Sequence, residues 1–298
     1  MKKVLTISVG LMMAVSVFGQ SIKVTPTLKK GMVKTYSVTT TMTAVGQTVN
    51  ITSEQKYTVT KETSNGFEMT LDYSGFKSDG NTEDLMSRLA TISSELLKDS
   101  KIQIRLDKEG KVLDVVNYDE VKAKAMASGH QLIDELFAAA PEISQVLKKE
   151  QLEQRLADEL TQERIVQGLT ISSSPLALFG RTITTGMEDK YDNNMVTLKR
   201  LWVVIGKKVS SLAKTDMSRE ELKAYVLSQV EKTAPQQAAM IKDNIDQVLD
   251  SGLLKLDVNE QASYELGDDL WVKSLETKTE SDIVSQKSNT QIKVQLKD

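Results

Sequence analysis

From Thr35 to Ala44 the chain alternates with a period of two. The even positions are Tyr36, Val38, Thr40, Met42 and Ala44, and the odd ones are Thr35, Ser37, Thr39, Thr41 and Thr43. Such alternation, rich in β-branched residues, describes a strand with one face toward a core and the other toward water. A turn near Gly46-Gln47 leads to a second strand. It sets Val49, Ile51, Tyr57 and Val59 on one face and Asn50, Thr52, Glu54, Lys56 and Thr58 on the other. Asn65-Gly66 is a hairpin signal, and it predicts a third strand with Phe67, Met69, Leu71 and Tyr73 inward. Three consecutive strands of this kind predict one antiparallel meander.

The period then changes. Residues 82–98 place Leu85, Leu89, Ile92 and Leu96 at helical spacing behind the acidic pair Glu83-Asp84, where carboxylates suit the helix dipole. Strand character returns at Ile102, Ile104 and Leu106, turns at Lys108-Glu109-Gly110, and resumes to Val116. Residues 119–169 read as helical and charged, with Pro141 at a helix start and Ser172-Ser173-Ser174-Pro175 as the break. Strands are predicted at about 181–190 and 195–206. Ser218-Arg219-Glu220-Glu221 is a capping box opening another helix, which Pro235 restarts and Gly252 ends. The tail is β again, over Leu253–Tyr264, Leu270–Thr279 and the alternating Ile292, Val294 and Leu296. Lys101–Val116 and Ala262–Leu275 share a strand–turn–strand pattern, as two similar halves would.

The fold these segments predict is α+β: a curved antiparallel sheet or half-barrel with inserted helices packed on one face. The domain expectation is a signal peptide at 1–19, followed by a single α+β domain over 20–298 with a helical insertion at about 118–170. The signal reading rests on Lys2 and Lys3, the apolar run from Val4 to Phe18, and small residues at Val17 and Gly19 before Gln20. That run of about fifteen residues is shorter than the roughly 20 that a membrane-spanning helix needs. Cleavage after Gly19 would expose Gln20 as an amino terminus able to cyclise to pyroglutamate. It would leave no transmembrane anchor and, with no cysteine in the chain, no lipobox.

The formal charge is -3, and loss of Lys2 and Lys3 takes it to -5. That balance argues against a nucleic-acid partner, which needs clustered cations. The lack of cysteine removes disulfide, thiolate-metal and cysteine-nucleophile chemistry together. There is no Gly-x-Ser-x-Gly elbow and no glycine-rich phosphate loop. Ser-x-x-Lys occurs at Ser53-Lys56, Ser74-Lys77 and Ser211-Lys214, but on a strand that spacing points the two side chains to opposite faces. The single histidine, His130, lies on a predicted helix flank and has no second imidazole to share a zinc ion with. The acidic groups at Asp79 with Glu83-Asp84, at Glu188-Asp189 with Asp192, and at Asp268-Asp269 do not match a calcium-loop spacing; turns and helix starts use the same residues. The expectation is therefore no enzyme, no cofactor and no metal.

The segment Lys101-Ile-Gln-Ile-Arg-Leu-Asp-Lys-Glu-Gly-Lys-Val112, followed by Asn117-Tyr-Asp-Glu-Val121, resembles an element of uncharacterised exported β-rich proteins of Bacteroidota, grouped as a domain of unknown function. Lys29-Lys30-Gly31-Met32 before a Thr-rich strand resembles the same group, as does a glutamine directly after the signal. The resemblance covers about half the chain. It implies a Gram-negative envelope location, in the periplasm or on the outer-membrane surface, and it carries no active site. Related chains open their second half with a glycine-aspartate-tryptophan-like turn, where this one has Thr185-Gly186-Met187-Glu188-Asp189. A sheet roofed by helices encloses apolar space, so the leading expectation is a binder of a hydrophobic or lipid-like ligand. Its ligand-facing residues would be Leu85, Leu89, Ile92, Leu96, Tyr36, Val38 and Met42. The alternatives are a ligand-free envelope module that contacts another protein and, third, a carboxylate-dependent hydrolase.

Overall fold

The computed structural model describes residues 19–44, 46–79, 101–139, 141, 144, 148–192, 196–233, 235–250, 256–283 and 286–297. Its main element is an eleven-stranded antiparallel sheet, and the other two of the thirteen described strands pair separately. The chain first forms the short β1 (Ser21–Lys23), then the meander β2 (Val33–Ala44), β3 (Gln47–Thr63) and β4 (Gly66–Ser78), and the hairpin β5 (Lys101–Asp107) and β6 (Val112–Val115). After three helices come the short β7 (Thr182–Thr184), then β8 (Glu188–Asp192), β9 (Thr197–Ile205) and β10 (Lys208–Thr215). Two more helices precede β11 (Leu256–Leu266), β12 (Val272–Ile283) and β13 (Gln286–Leu296). The strands lie in the order β6-β5-β4-β3-β2-β13-β12-β11-β10-β9-β8, and β1 pairs with β7 in a separate two-stranded sheet. The sheet is open: β6 and β8 end it and do not pair with each other. The α+β expectation holds at this level, with an open sheet in place of a rolled half-barrel.

The first meander has the alternation the sequence predicts. Met42 stands opposite Val49, Thr40 opposite Ile51, and Tyr57 opposite Leu71. The β3–β4 loop is Ser64-Asn65, one residue earlier than the Asn-Gly pair suggests, and Gly66 opens β4. Gly66 has φ 151°, and a Cβ there would lie 2.0 Å from the Leu106 carbonyl oxygen on β5. Only glycine lets β5 approach so closely.

The segment read as one strand over 181–190 is divided. β7 leaves to pair with β1, and Gly186 donates to the Trp202 carbonyl at 2.9 Å before β8 joins the main sheet. The helical stretch after β6 is likewise three helices: α1 (Tyr118–Ala139), α2 (Lys149–Glu159) and α3 (Gln162–Leu169). The capping box forms in both directions. Glu221 N donates to Ser218 Oγ at 3.2 Å, and Ser218 N donates to Glu221 Oε2 at 2.7 Å. It opens α4 (Arg219–Thr233), and Pro235 begins α5 (Pro235–Asp250). The helix expected over 82–98 lies outside the described residues.

One face of the sheet carries the core, whose larger cluster lies at the end nearest the β1–β7 pair, while a smaller one of Val196, Leu198, Ala213 and Val258 lies toward the other end. At the former end Tyr36, Val59, Met69, Ile104, Leu106, Trp202, Val204, Tyr264 and Val272 are buried. Leu169, Ile165 and Val166 of α3 and Tyr118 and Val121 of α1 pack against this end, but most of its cover is not helical. That cover is the β1–β7 pair with the irregular stretches around it, which contribute Val24, Leu176, Leu178, Phe179 and Ile183. Two ring groups stitch this cover to the sheet, and a third braces the sheet beneath it. Trp271 Nε1 donates to the Thr27 carbonyl at 2.9 Å, Tyr264 OH to the Ser172 carbonyl at 2.7 Å, and Tyr36 OH to the Val272 carbonyl at 2.9 Å within the sheet. Phe179 meets Trp271 edge-on at 4.9 Å. Of the helices, α1 packs against α2 and β5, α3 against β6, and α4 against α5.

Phe179→Ala should destabilise the protein by about 3–5 kcal/mol, since it removes a buried ring and leaves a cavity. Thr52→Ala, on the opposite face, should stay within about 0.5 kcal/mol. Urea midpoints at constant slope check both.

Candidate functional site

Strand register divides the core-bearing face into rows that cross the sheet. Nearest the cover, Val38, Val294, Leu275, Tyr264, Val209 and Val204 stand opposite one another in turn, and all are buried. The next row runs Ile51, Thr40, Ile292, Thr277, Ala262, Ser211 and Trp202; the one beyond runs Val49, Met42, Thr290, Thr279, Glu260, Ala213, Arg200 and Asp189. Along β2 and β13 burial falls off with distance from the cover. Tyr36, Val38 and Val294 are buried, whereas Thr40, Met42, Thr290 and Ile292 are half-buried, as is Ile51 on β3. These five strand positions with Thr279 form a shallow apolar and threonine-lined floor. The β10–α4 and α5–β11 connections, and the start of α1, leave the sheet at this same end.

Of the residues named as ligand-facing, Tyr36 and Val38 lie in the packed end. Tyr36 meets Tyr57 edge-on at 5.7 Å. Burial, and then the charge of Asp269, drive its phenol pKa far above the ordinary value. Met42 belongs to the half-buried floor. Leu85, Leu89, Ile92 and Leu96 lie outside the described residues.

The far end of the third row is ionic, and sequence reasoning missed it. Asp189 accepts from Arg200 Nε and Nη2 at 2.8 Å each, from Arg181 Nη2 at 2.5 Å and from Trp202 Nε1 at 3.1 Å. The Arg200 guanidinium lies 4.3 Å from the ring centroids of both Tyr191 and Trp202. Tyr191 OH donates to Glu260 at 2.5 Å. Burial opposes ionisation of Asp189, yet the hydrogen bonds and charges of Arg200 and then Arg181 outweigh it and hold the carboxyl below its usual range. Local sequence shows only an acid near a turn. The signal that could have found the cluster is the alternation Lys199-Arg200-Leu201-Trp202 with Arg200 on the inward side, since an inward arginine requires a carboxylate.

The other candidate chemistry disperses. Glu188 pairs with Lys199 at 2.8 Å and Asp192 accepts from Thr197 at 2.7 Å. Asp79 accepts from Asn50, Asp268 pairs with Lys207, and Asp269 pairs with Lys34 at 2.6 Å. His130 is exposed on α1. Ser211 is buried while Lys214 is exposed on the opposite face. Among the described residues no three histidine or carboxylate groups gather as a metal site.

The opposite face of the sheet carries grooves of about 400 Å³ and 330 Å³. The larger is polar, lined by Thr43, Asn259, Glu280, Asp282, Lys287 and Asn289. On the same face the threonines of β2 are spent on neighbours: Thr41 donates to Asn50 at 2.6 Å, and Thr43 and Thr48 share a hydrogen bond.

Asp189→Asn should lower stability at pH 7 by about 2–4 kcal/mol, because Arg200 stays buried without its carboxylate. A folded-state pKa below the unfolded one contributes stability above the ordinary carboxylate value, and that stability is lost as pH falls through the lowered pKa. Wild-type stability should therefore drop more steeply below about pH 4 than that of the variant, as acid titration of the urea midpoint would show. Ser211 Oγ is buried without a hydrogen-bond partner among the described residues. Ser211→Ala should raise stability by about 1 kcal/mol, read from the same midpoint.

No protein-family model matches the chain, and no curated protein does. Among solved structures the chain is similar to lipovitellin, from a study of its lipid–protein interactions, at 9% identity and TM-score 0.41. That match covers 91% of this chain but only 26% of lipovitellin, so the chain spans about a quarter of its length. A Bacteroides fragilis protein described as exported and YmcC-like in fold matches at 9% identity and TM-score 0.25, over 93% of this chain and 100% of its own. Both likenesses fall short of a shared fold.

Proposed function

We propose that this is an exported protein of a Gram-negative envelope that holds a hydrophobic or lipid-like ligand on the half-buried end of its core face. The observation that carries the reading is the change along β2 and β13. The same face that is closed over Tyr36, Val38 and Val294 is half-open over Thr40, Met42, Thr290 and Ile292. A continuous row of apolar and hydroxyl side chains beside a packed core suits an acyl chain or similar group, whose burial yields about 25 cal/mol per Å² of apolar surface.

At the covered end the segment 20–23 touches turns from both halves: Lys23 pairs with Glu109 in the β5–β6 turn, and Gln20 accepts from Gly206 in the β9–β10 turn. The protein would act by binding, without catalysis or a cofactor. Export is supported by the amino-terminal pattern of Lys2-Lys3, an apolar run and Val17-Phe18-Gly19. No helix among the described residues is long and apolar enough to cross a membrane.

The ligand-free module is favoured by a different observation. On the outward face of the β9–β10 hairpin, Leu201, Ile205 and Leu212 are 40%, 56% and 57% exposed, and Leu201 stands directly opposite Leu212. A protein partner would cover such a strip.

An apolar fluorescent probe should bind the folded protein, saturate near one equivalent and be displaced by envelope lipid extract. Met42→Lys should weaken it at least tenfold, while Leu212→Lys leaves it unchanged. Binding only on partial unfolding, or equal loss in the two variants, would overturn the ligand reading.

A further inference from the structure

The fold takes hold of the chain at one residue. Gly19 and Gln20 are both exposed. From Gln20 onward the backbone is tied: the Gln20 carbonyl accepts from Thr185 N at 2.9 Å, and Ser21–Lys23 pairs with Thr182–Thr184. The Gln20 side chain also reaches across to the other half of the sheet. Its Oε1 accepts from Gly206 N in the β9–β10 turn at 3.1 Å. Its Nε2 donates to nothing among the described residues.

We infer that Gln20 is a modification site: as the amino terminus of the exported chain it closes to pyroglutamate, and its lactam carbonyl is the latch held by Gly206 N. The inference rests on the export reading above. In the reaction the α-amine nitrogen attacks Cδ of its own carboxamide. The N–Cδ bond forms, the Cδ–Nε2 bond breaks, and Nε2 departs as ammonia with a proton from the α-amine. The step is an intramolecular aminolysis and needs no oxidant, reductant or cofactor. The atom retained, Oε1, is the one the fold uses, and the atom expelled, Nε2, is the one it does not.

Closure has two physical consequences at this place. A free α-amino group titrates near pH 7.7–8.0 and would carry a positive charge at the start of β1; the lactam is neutral and offers no amine to an aminopeptidase. The ring also removes the side chain's rotatable bonds, so holding the carbonyl against Gly206 N loses less conformational entropy than holding an open glutamine.

The test is the intact mass of protein secreted from the full-length chain, with aminopeptidase digestion before and after pyroglutamyl peptidase. The expected species is residues 20–298 less one ammonia, resistant until the pyroglutamyl residue is removed. A chain that starts at Gln20 with a free amine would overturn the lactam and leave the export reading standing. A chain cut elsewhere would do the same, whereas one that keeps Met1–Gly19 would overturn both. Gln20→Ala, still exported, separates the latch from the chemistry. Hydrogen exchange at the Gly206 amide should be at least tenfold faster in that variant than in the wild type, and equal protection would show that Oε1 holds nothing in solution.

Discussion

Trp271 is the point at which the sheet and its cover become one structure. Its indole nitrogen donates to the Thr27 carbonyl in the segment after β1, while its ring meets Phe179 of the cover on one side and Tyr57 of the sheet on another. Much of the apolar face at this end of the sheet is covered by irregular chain. Such chain has backbone polar groups that ordered pairing within a helix would have satisfied. The cover meets that requirement through β1–β7 pairing and through bonds such as Gly180 N to the Val24 carbonyl at 2.9 Å and Ser174 Oγ to the Leu169 carbonyl at 2.6 Å. A loop can lie over a core only when its own donors and acceptors are satisfied in this way.

What the sequence revealed was local. Tyr36, Val38 and Met42 against Thr35, Thr39 and Thr41 specify a strand and its faces, because side-chain direction follows from residue parity alone. Ser218 and Glu221 specify a helix start, because a capping box is complete within four residues. The cover was not legible. Leu176-Ala177-Leu178-Phe179 reads as a short apolar run without a period, and nothing in it states that its partner is Trp271, some ninety residues later. The half-buried floor could be placed on a face by parity, but the distance along the strand at which the cover ends is a tertiary property. The Asp189 cluster escaped for the same reason, since its members come from the β7 approach, β8, β9 and β11.

The two halves of the main sheet repeat a topology. β2-β3-β4 forms a meander, an insertion follows, and β5-β6 completes the group; β8-β9-β10 forms a meander, α4 and α5 follow, and β11-β12 completes the second group. Both groups run in the same direction across the sheet. The pairing places β5-β6 in the role of β11-β12, the same two segments whose strand–turn–strand pattern is shared in the sequence. Each group is preceded by one short strand, and those two, β1 and β7, pair with each other. The recurrence explains why both insertions leave the sheet at one end and why both tight turns lie at the other.

β13 has no counterpart in the first group, and its position sets the kinetics of the whole. It is the last strand of the chain and lies in the middle of the sheet, between β12 and β2, with Val294 opposite Val38. Until it is in place, β2 and β12 are long, unpaired inner edges, and the two groups have only the cover between them. Pairing the first long strand with the last gives this fold a high contact order, the feature that slows folding most among chains of similar stability. A chain of this kind dwells, until β13 is in place, with exposed edges that invite pairing with other chains.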